Sequence, residues 1–231
     1  MSRLALYLLG SPHIERDGQP VEVRSRKSLA LVTYLAVTGR ASSRDALATL
    51  LWPEHDQSRA RTSLRRALST IKQTLGTGWL EVDRERVGLS PEAEVWLDVE
   101  VFQERLAACG RHGHRIEEVC LDCPPLLAEA VELYRDDFLA GFTLRDSPPF
   151  DEWQFFQSQD LRAQLADALE RLVRAYDGQG KHQLAIASAR RWLALDPLHE
   201  AAHRCLMSLY ARSDQRAAAL RQYADCARIL Q

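Results

Sequence analysis

No run of apolar residues in this chain of 231 approaches the roughly 20 needed to cross a membrane as a helix. The first residues, MSRLALYLLG, lack the long apolar segment and small-residue cleavage site of a secretory signal. They alternate instead like a strand. A cytoplasmic location without a membrane partner is the expectation. Aromatics are few, at 7%. No G-x-x-x-x-G-K-[ST] stretch is present to cradle a nucleotide phosphate. Ser, His and Asp occur, but none in a strand–turn–helix elbow. The chain therefore reads as a non-enzyme.

What is present is an uneven distribution of charge. A formal net charge of −2 conceals ten basic against three acidic residues between Arg24 and Lys72, and 16 basic against 20 acidic residues from Val99 onward. A basic N-terminal part joined to an acidic C-terminal one fits a polyanion-binding module attached to a protein-binding module.

The basic charge concentrates in DQSRARTSLRRALSTIKQTL, Asp56 to Leu75. Ala60, Leu64, Ala67, Leu68, Ile71 and Leu75 recur at helical spacing and form one narrow apolar stripe. The opposite face carries Ser58, Arg59, Thr62, Arg65, Arg66, Ser69 and Gln73, with Arg61 and Lys72 on its flanks and no carboxylate. A solvated amphipathic helix would have the same stripe. A cationic face rich in donors, with short hydroxyl side chains, also suits the major groove of DNA.

The neighbouring segments favour the second reading. Leu4–Leu9, His13–Arg16 and Pro20–Val23 read as strands, the last two flanking the hairpin dipeptide Asp17-Gly18. A helix is expected from Arg26 to a stop at Gly39, then a short one from Arg44 to Leu51 with Ser42 as N-cap and Asp45 at capping-box spacing. Asp56 can cap the basic helix. Beyond Gly76 and Gly78 the period changes to two, and Trp79–Val82 and Arg86–Leu89 form a hairpin across Asp83-Arg84-Glu85. The order matches a winged helix-turn-helix, with the third helix in the major groove and the hairpin as wing. Arg24, Arg26, Lys27 and Arg44 lie near helix starts, where they would meet phosphates. Arg84 or Arg86 would reach an adjacent groove, although Asp83 and Glu85 repel phosphate there.

From about Asp98 the pattern is helical and repetitive. Leu172–Tyr176 and Leu206–Tyr210 lie 34 residues apart, and Ala185 and Ala219 keep the offset. That period belongs to tetratricopeptide-like helix pairs. Earlier helices are expected at Val99–Ala108, Leu126–Ala140 and Phe150–Asp177, with Pro148-Pro149 breaking one helix before the last of these, and a repeat-like break at Ser213-Asp214.

Cys109, His112, His114, Cys120 and Cys123 crowd into fifteen residues. Cys109-x₂-His112 and Cys120-x₂-Cys123 form two knuckles that can wrap a structural zinc, His114 being the alternative to His112. The same residues also fit a polar loop with incidental thiols. No other cofactor is called for.

The segments LWPEHDQSRARTSLRRALSTIKQTLG (51–76), VWLDVEVFQERL (95–106), AVELYRDDFLAGF (130–142) and LALDPLHEAAHRCLMSLYARSDQRAAALRQY (193–223) carry a family resemblance. The chain resembles SARP-type regulators, in which an OmpR-like winged helix precedes a bacterial transcriptional activator domain. It is similar to the N-terminal part of larger regulators that continue into an ATPase domain. The resemblance implies a mainly α fold with a small β component. It implies a DNA-binding winged helix at 1–97, followed by a helical repeat domain at 98–231. The implied function is sequence-specific transcriptional activation on double-stranded DNA. The repeats would then serve homodimerisation, or docking to RNA polymerase or a following regulatory domain. A protein-interaction scaffold, or the sensor arm of a signalling ATPase, is the alternative.

Overall fold

The computed structural model describes residues 3–112 and 122–229. Its chain forms mainly helices with two small sheets. The compact units interleave in sequence. One comprises residues 1–101 and 135–159, the other 102–134 and 160–231.

In the first unit, β1 (Arg3–Tyr7), β2 (His13–Arg16) and β3 (Gln19–Val21) form a meander. The turn between β2 and β3 has both central residues, Asp17 and Gly18, at positive φ (53° and 75°). That conformation matches the twist of a tight hairpin and explains the Asp-Gly pair. β7 (Glu94–Leu97) adds in parallel to the other side of β1, Leu4 opposite Val95 and Leu6 opposite Leu97. This strand has no local signature, because its partner lies about ninety residues away in sequence.

α1 (Arg26–Thr38) starts at Ser25, whose hydroxyl accepts from Ser28 N, and stops at Gly39 in the left-handed region (φ 63°). α2 (Arg44–Leu51) is capped by Ser43, which accepts from Ala46 N. The expected cap, Ser42, instead joins Ser43 in β4 and pairs with Val87. The strand takes Ser42 because the wing needs a third strand to satisfy its open edge. α3 (Gln57–Leu75) is capped by Asp56, which accepts from Arg59 N at 3.0 Å. β5 (Leu80–Val82) and β6 (Arg86–Leu89) form the hairpin, in the sheet order β4-β6-β5. The elements make a winged helix-turn-helix preceded by a small sheet.

Two expectations near residue 140 need correction. The helix expected to run to Ala140 is α5 (Cys123–Leu133) and ends at Tyr134. Residues 135–140 serve the backbone beyond β1 instead. Arg135 N, Leu139 N and Ala140 N donate to the carbonyls of Leu9, Leu8 and Gly10. Leu139 adopts φ 55° to do so. The open backbone of Leu8–Gly10 requires partners, and that demand overrides the helical pattern. Pro148-Pro149 does not break a helix. It opens the 31-residue α6 (Pro148–Gly178), where the missing N–H groups cost nothing.

In the second unit, α7 (His182–Leu195), α8 (Glu200–Arg212) and α9 (Arg216–Ile229) follow the last part of α6. Val173, Ala185, Ile186, Ala189, Leu206, Leu209 and Tyr210 form their shared core. Of the two Ala positions in the repeat pattern, Ala185 is fully buried, as close helix approach demands, and Ala219 is partly buried against the same core. α8 and α9 are separated at Ser213-Asp214, with Asp214 at φ 56°. α4 (Asp98–Gly110) begins in the first unit.

Candidate nucleic-acid interface

α3 turns its six apolar residues, Ala60, Leu64, Ala67, Leu68, Ile71 and Leu75, into the core. The other face is open to solvent. Ser58, Arg59, Arg61, Thr62, Arg65, Arg66, Ser69, Lys72 and Gln73 are all exposed. Thr62 Oγ1 donates to Ser58 O at 3.0 Å. The helix contains no acid, and among the described residues Arg59, Arg65, Arg66 and Lys72 enter no ion pair.

Arg61 differs. Its guanidinium makes a two-pronged contact with Asp45 on α2, at 2.5 and 2.7 Å. The same contact holds the Asp45 carboxyl below the ordinary carboxylate range. Asp45 had a local reading as a capping-box acid, so its pairing with the basic helix was not visible in the sequence. The signal that would have found it is a lone acid on the short helix before a cationic one.

Two depressions flank α3 on the wing side. One, of about 790 Å³, is lined by Ser43, Arg44, Asp45, Arg61, Arg65 and the Val82–Glu85 tip. The other, of about 440 Å³, is lined by Arg44, Arg65, Leu68, Ser69, Lys72, Gln73, Thr77 and Val82. Arg65 and Arg44 line both. Thr77 is a lining residue that the sequence did not single out. Arg44 ties helix to wing: Nη1 donates to Asp83 O at 3.0 Å, and its backbone N donates to Glu85 O. Asp83 accepts from the amides of Glu85 and Arg86, both at 2.6 Å. These two donors hold its carboxyl low. The acid thus shapes the tip, and Arg84 and Arg86 are exposed beside it.

The remaining basic candidates divide. Arg24 is exposed and lies 3.4 Å from Glu22. Arg26 donates twice to Thr143 O and covers the Phe142 ring at 4.6 Å. Lys27 donates to Leu51 O, pairs with Asp146 at 3.0 Å and keeps only 15% of its side chain exposed. The donors of Arg26 thus go to Thr143 O, and those of Lys27 to Leu51 O and Asp146.

Of the Cys/His group, Cys109 and Cys123 are buried. Cys123 Sγ lies 3.2 Å from His112 Nδ1, and Cys109 Sγ donates to Cys123 O at 3.7 Å. His114 and Cys120 lie outside the described residues. Among the described residues no three His, Cys, Asp or Glu side chains group as a metal site. No described helix is long and apolar enough to cross a membrane.

A family model described as the bacterial transcriptional activator domain matches residues 97–231. No curated protein matches the chain. Among solved structures it is similar to "Mycobacterium tuberculosis EmbR in complex with low affinity phosphopeptide", at 24% identity and a TM-score of 0.72. That match covers 100% of this chain and 60% of the other, so the chain spans less than two thirds of that protein's length. The likeness is one of fold.

Proposed function

Because the chain belongs to the bacterial transcriptional activator domain family, we propose that it acts as a sequence-specific, DNA-binding transcriptional activator of the SARP type. The observation that carries this reading is the outer face of α3. Arg59, Arg65, Arg66 and Lys72 stand exposed there beside Ser58, Thr62, Ser69 and Gln73, on a helix without a single carboxylate. An α-helix of this kind fits the major groove, where arginine reads guanine edges and hydroxyl and amide groups read their neighbours. A winged helix that docks on protein would expose apolar side chains on this face.

Arg65 and Arg66 read bases in this scheme. Arg59, Lys72, Arg24 and Arg44 neutralise phosphates, and Arg84 or Arg86 enters the next groove from the wing. Arg26 and Lys27 hold the fold that presents α3. The acidic repeats within 98–231 support self-association, or docking to a protein such as RNA polymerase or a following regulatory domain. A structural zinc on Cys120, Cys123, Cys109 and one of His112 and His114 is a lesser part of the reading; the Cys123–His112 contact supports it, and Cys109, now turned to Cys123 O, would have to move to join it.

Fluorescence anisotropy with labelled duplex from upstream of the gene tests the central claim. The chain is expected to prefer that duplex over a scrambled one, with an affinity that falls steeply as salt rises. Equal binding to both duplexes refutes sequence-specific recognition.

A further inference from the structure

Arg61 belongs to the same helix as Arg59, Arg65, Arg66 and Lys72, yet among the described residues it alone of these has an acid opposite it. Its Nε and Nη2 donate to the two carboxylate oxygens of Asp45 at 2.5 and 2.7 Å. A two-pronged contact between charged groups is among the strongest that an arginine makes. It occupies the fork that would otherwise grip a phosphate. The side chains are 49% exposed on Arg61 and 48% on Asp45, so the pair is open to whatever seats on α3.

The surroundings of Asp45 are cationic. It lines the depression of about 790 Å³ beside the wing tip together with Arg44, Arg61, Arg65 and Arg84. Of the other acids there, Asp83 is held by the amides of Glu85 and Arg86, and Glu85 belongs to the tip itself. Asp45 is thus the acid directed at α3. The helix dipole accounts for an acid in the first turn of α2, but not for a carboxylate that meets both prongs of an arginine on the next helix.

We propose that Asp45 is a positioning residue that sets the sequence-independent part of DNA affinity, by keeping Arg61 neutralised and away from the phosphate backbone. The inference rests on the reading of α3 as the DNA-binding helix. A phosphodiester can recruit Arg61 only by breaking both bonds to Asp45, and it offers no better fork in return. The pair carries no net charge, so it releases no counterions when a duplex binds. Arg65, one turn further along α3, keeps its guanidinium free for the groove. An exposed pair of this kind adds little to folding stability, so its effect falls on binding.

Fluorescence anisotropy of the full chain on the upstream duplex and on its scrambled version, each across a salt series, is the test. Asp45→Asn is expected to steepen the dependence of log affinity on log salt by about 0.9, the value of one added phosphate contact, and to tighten binding to both duplexes about fivefold near 0.15 M salt. Arg61→Gln should weaken binding to both, since it leaves the Asp45 charge unopposed. The double variant should return to the parent slope, because the pair it deletes is neutral. Glu200→Gln removes an acid from α8, where it pairs with Arg204, and should change nothing. Circular dichroism confirms that the variants are folded. If the pair merely clasps α2 to α3, Asp45→Asn lowers the affinity or leaves affinity and slope where they were, and the proposal falls. It falls also if the double variant keeps the gain or Glu200→Gln reproduces it, because loss of negative charge then suffices. A parent chain that binds neither duplex removes the DNA reading of α3 and this inference together. A parent chain that binds, with the slope of Asp45→Asn unchanged, removes this inference alone.

Discussion

Asp98→Ala is expected to destabilise the first unit by about 2–4 kcal/mol. The Asp98 side chain is 1% exposed, and its carboxylate accepts from Leu8 N at 2.8 and 2.9 Å, from Leu9 N at 2.9 Å and from Val99 N at 2.9 Å. Arg135 stands 3.5 Å away. Leu8 and Leu9 are fully buried, so their amides cannot turn to water once the carboxylate is gone. Each orphaned buried donor costs about 1–3 kcal/mol, and the exposed Arg135 recovers its own solvation. Relief of the carboxylate's burial returns part of this. That burial pushes the Asp98 carboxyl above its ordinary range, against the pull of the Leu9 and Leu8 amides and Arg135. Two amides at the middle of that range, about 4 kcal/mol, less the relief, leave about 2–4 kcal/mol. Native-state hydrogen exchange followed by NMR isolates the effect without assuming that the two units unfold together. The Leu8 and Leu9 amides should exchange faster by a factor of 100 or more, on the order of 3 kcal/mol at 1.4 kcal/mol per tenfold. Amides of α8 should be unaffected. Unchanged protection at Leu8 and Leu9 would refute the reasoning.

Arg65→Ala and Arg66→Ala should each weaken specific DNA binding by about 1–3 kcal/mol and relax preference at one base position; anisotropy against a panel of single-base variants reads both. Arg59→Ala should lower the salt slope by about one and leave sequence preference intact. The Asp45 carboxyl should titrate below an ordinary aspartate by NMR and move back up in Arg61→Ala. Since its folded value is depressed, the pair's support is present above the ordinary aspartate range and is lost as pH falls through the depressed value. Metal analysis of the purified chain should find one equivalent of zinc, lost on Cys123→Ser; a metal-free protein with freely titratable thiols removes the zinc proposal.

Local chemistry made much of the fold legible. The α3 stripe, the Asp17-Gly18 turn, the stop at Gly39 and the cap at Asp56 each depend on a few adjacent residues, and each is found. Periodicity also put the cationic residues of α3 on one exposed face. What could not be read depends on distant partners. β7 is a strand because β1 has an open edge. Residues 135–140 leave the helical pattern because Leu8, Leu9 and Gly10 need donors. Arg26 and Lys27 look like their neighbours in composition, yet Thr143 and Asp146 decide where their charges go. Asp45 is likewise ordinary until α3 brings Arg61 to it.

The same distant partners bear on where the DNA-binding part can be cut. A fragment ending at Leu97 retains every element of the winged helix, but it loses the Asp98 carboxylate and all of 135–159, which belong to the same compact unit. Leu8 and Leu9 then lack the acceptor for their amides, and Leu8, Leu9 and Gly10 lack donors for their carbonyls. Leu50 O loses the Ser147 hydroxyl at 2.6 Å, and Lys27 loses Asp146. Tyr34 loses the Trp153 ring, whose centroid is 5.0 Å away. Phe138, Phe142 and Phe150 are all buried in the whole chain. Each buried aromatic is worth about 1.5–3 kcal/mol, so their removal alone is on the order of the 5–15 kcal/mol that holds a domain together. The fragment 1–97 is therefore expected to give a poorly dispersed amide spectrum and no cooperative melting transition. Its affinity for the upstream duplex should fall by far more than tenfold, although α3 is intact. Adding a peptide of residues 135–159 should restore part of both signals, which separates loss of fold from loss of dimerisation. A well-dispersed spectrum for 1–97, with the melting midpoint and DNA affinity of the whole chain, would mean that residues 135–159 merely decorate a fold that stands without them.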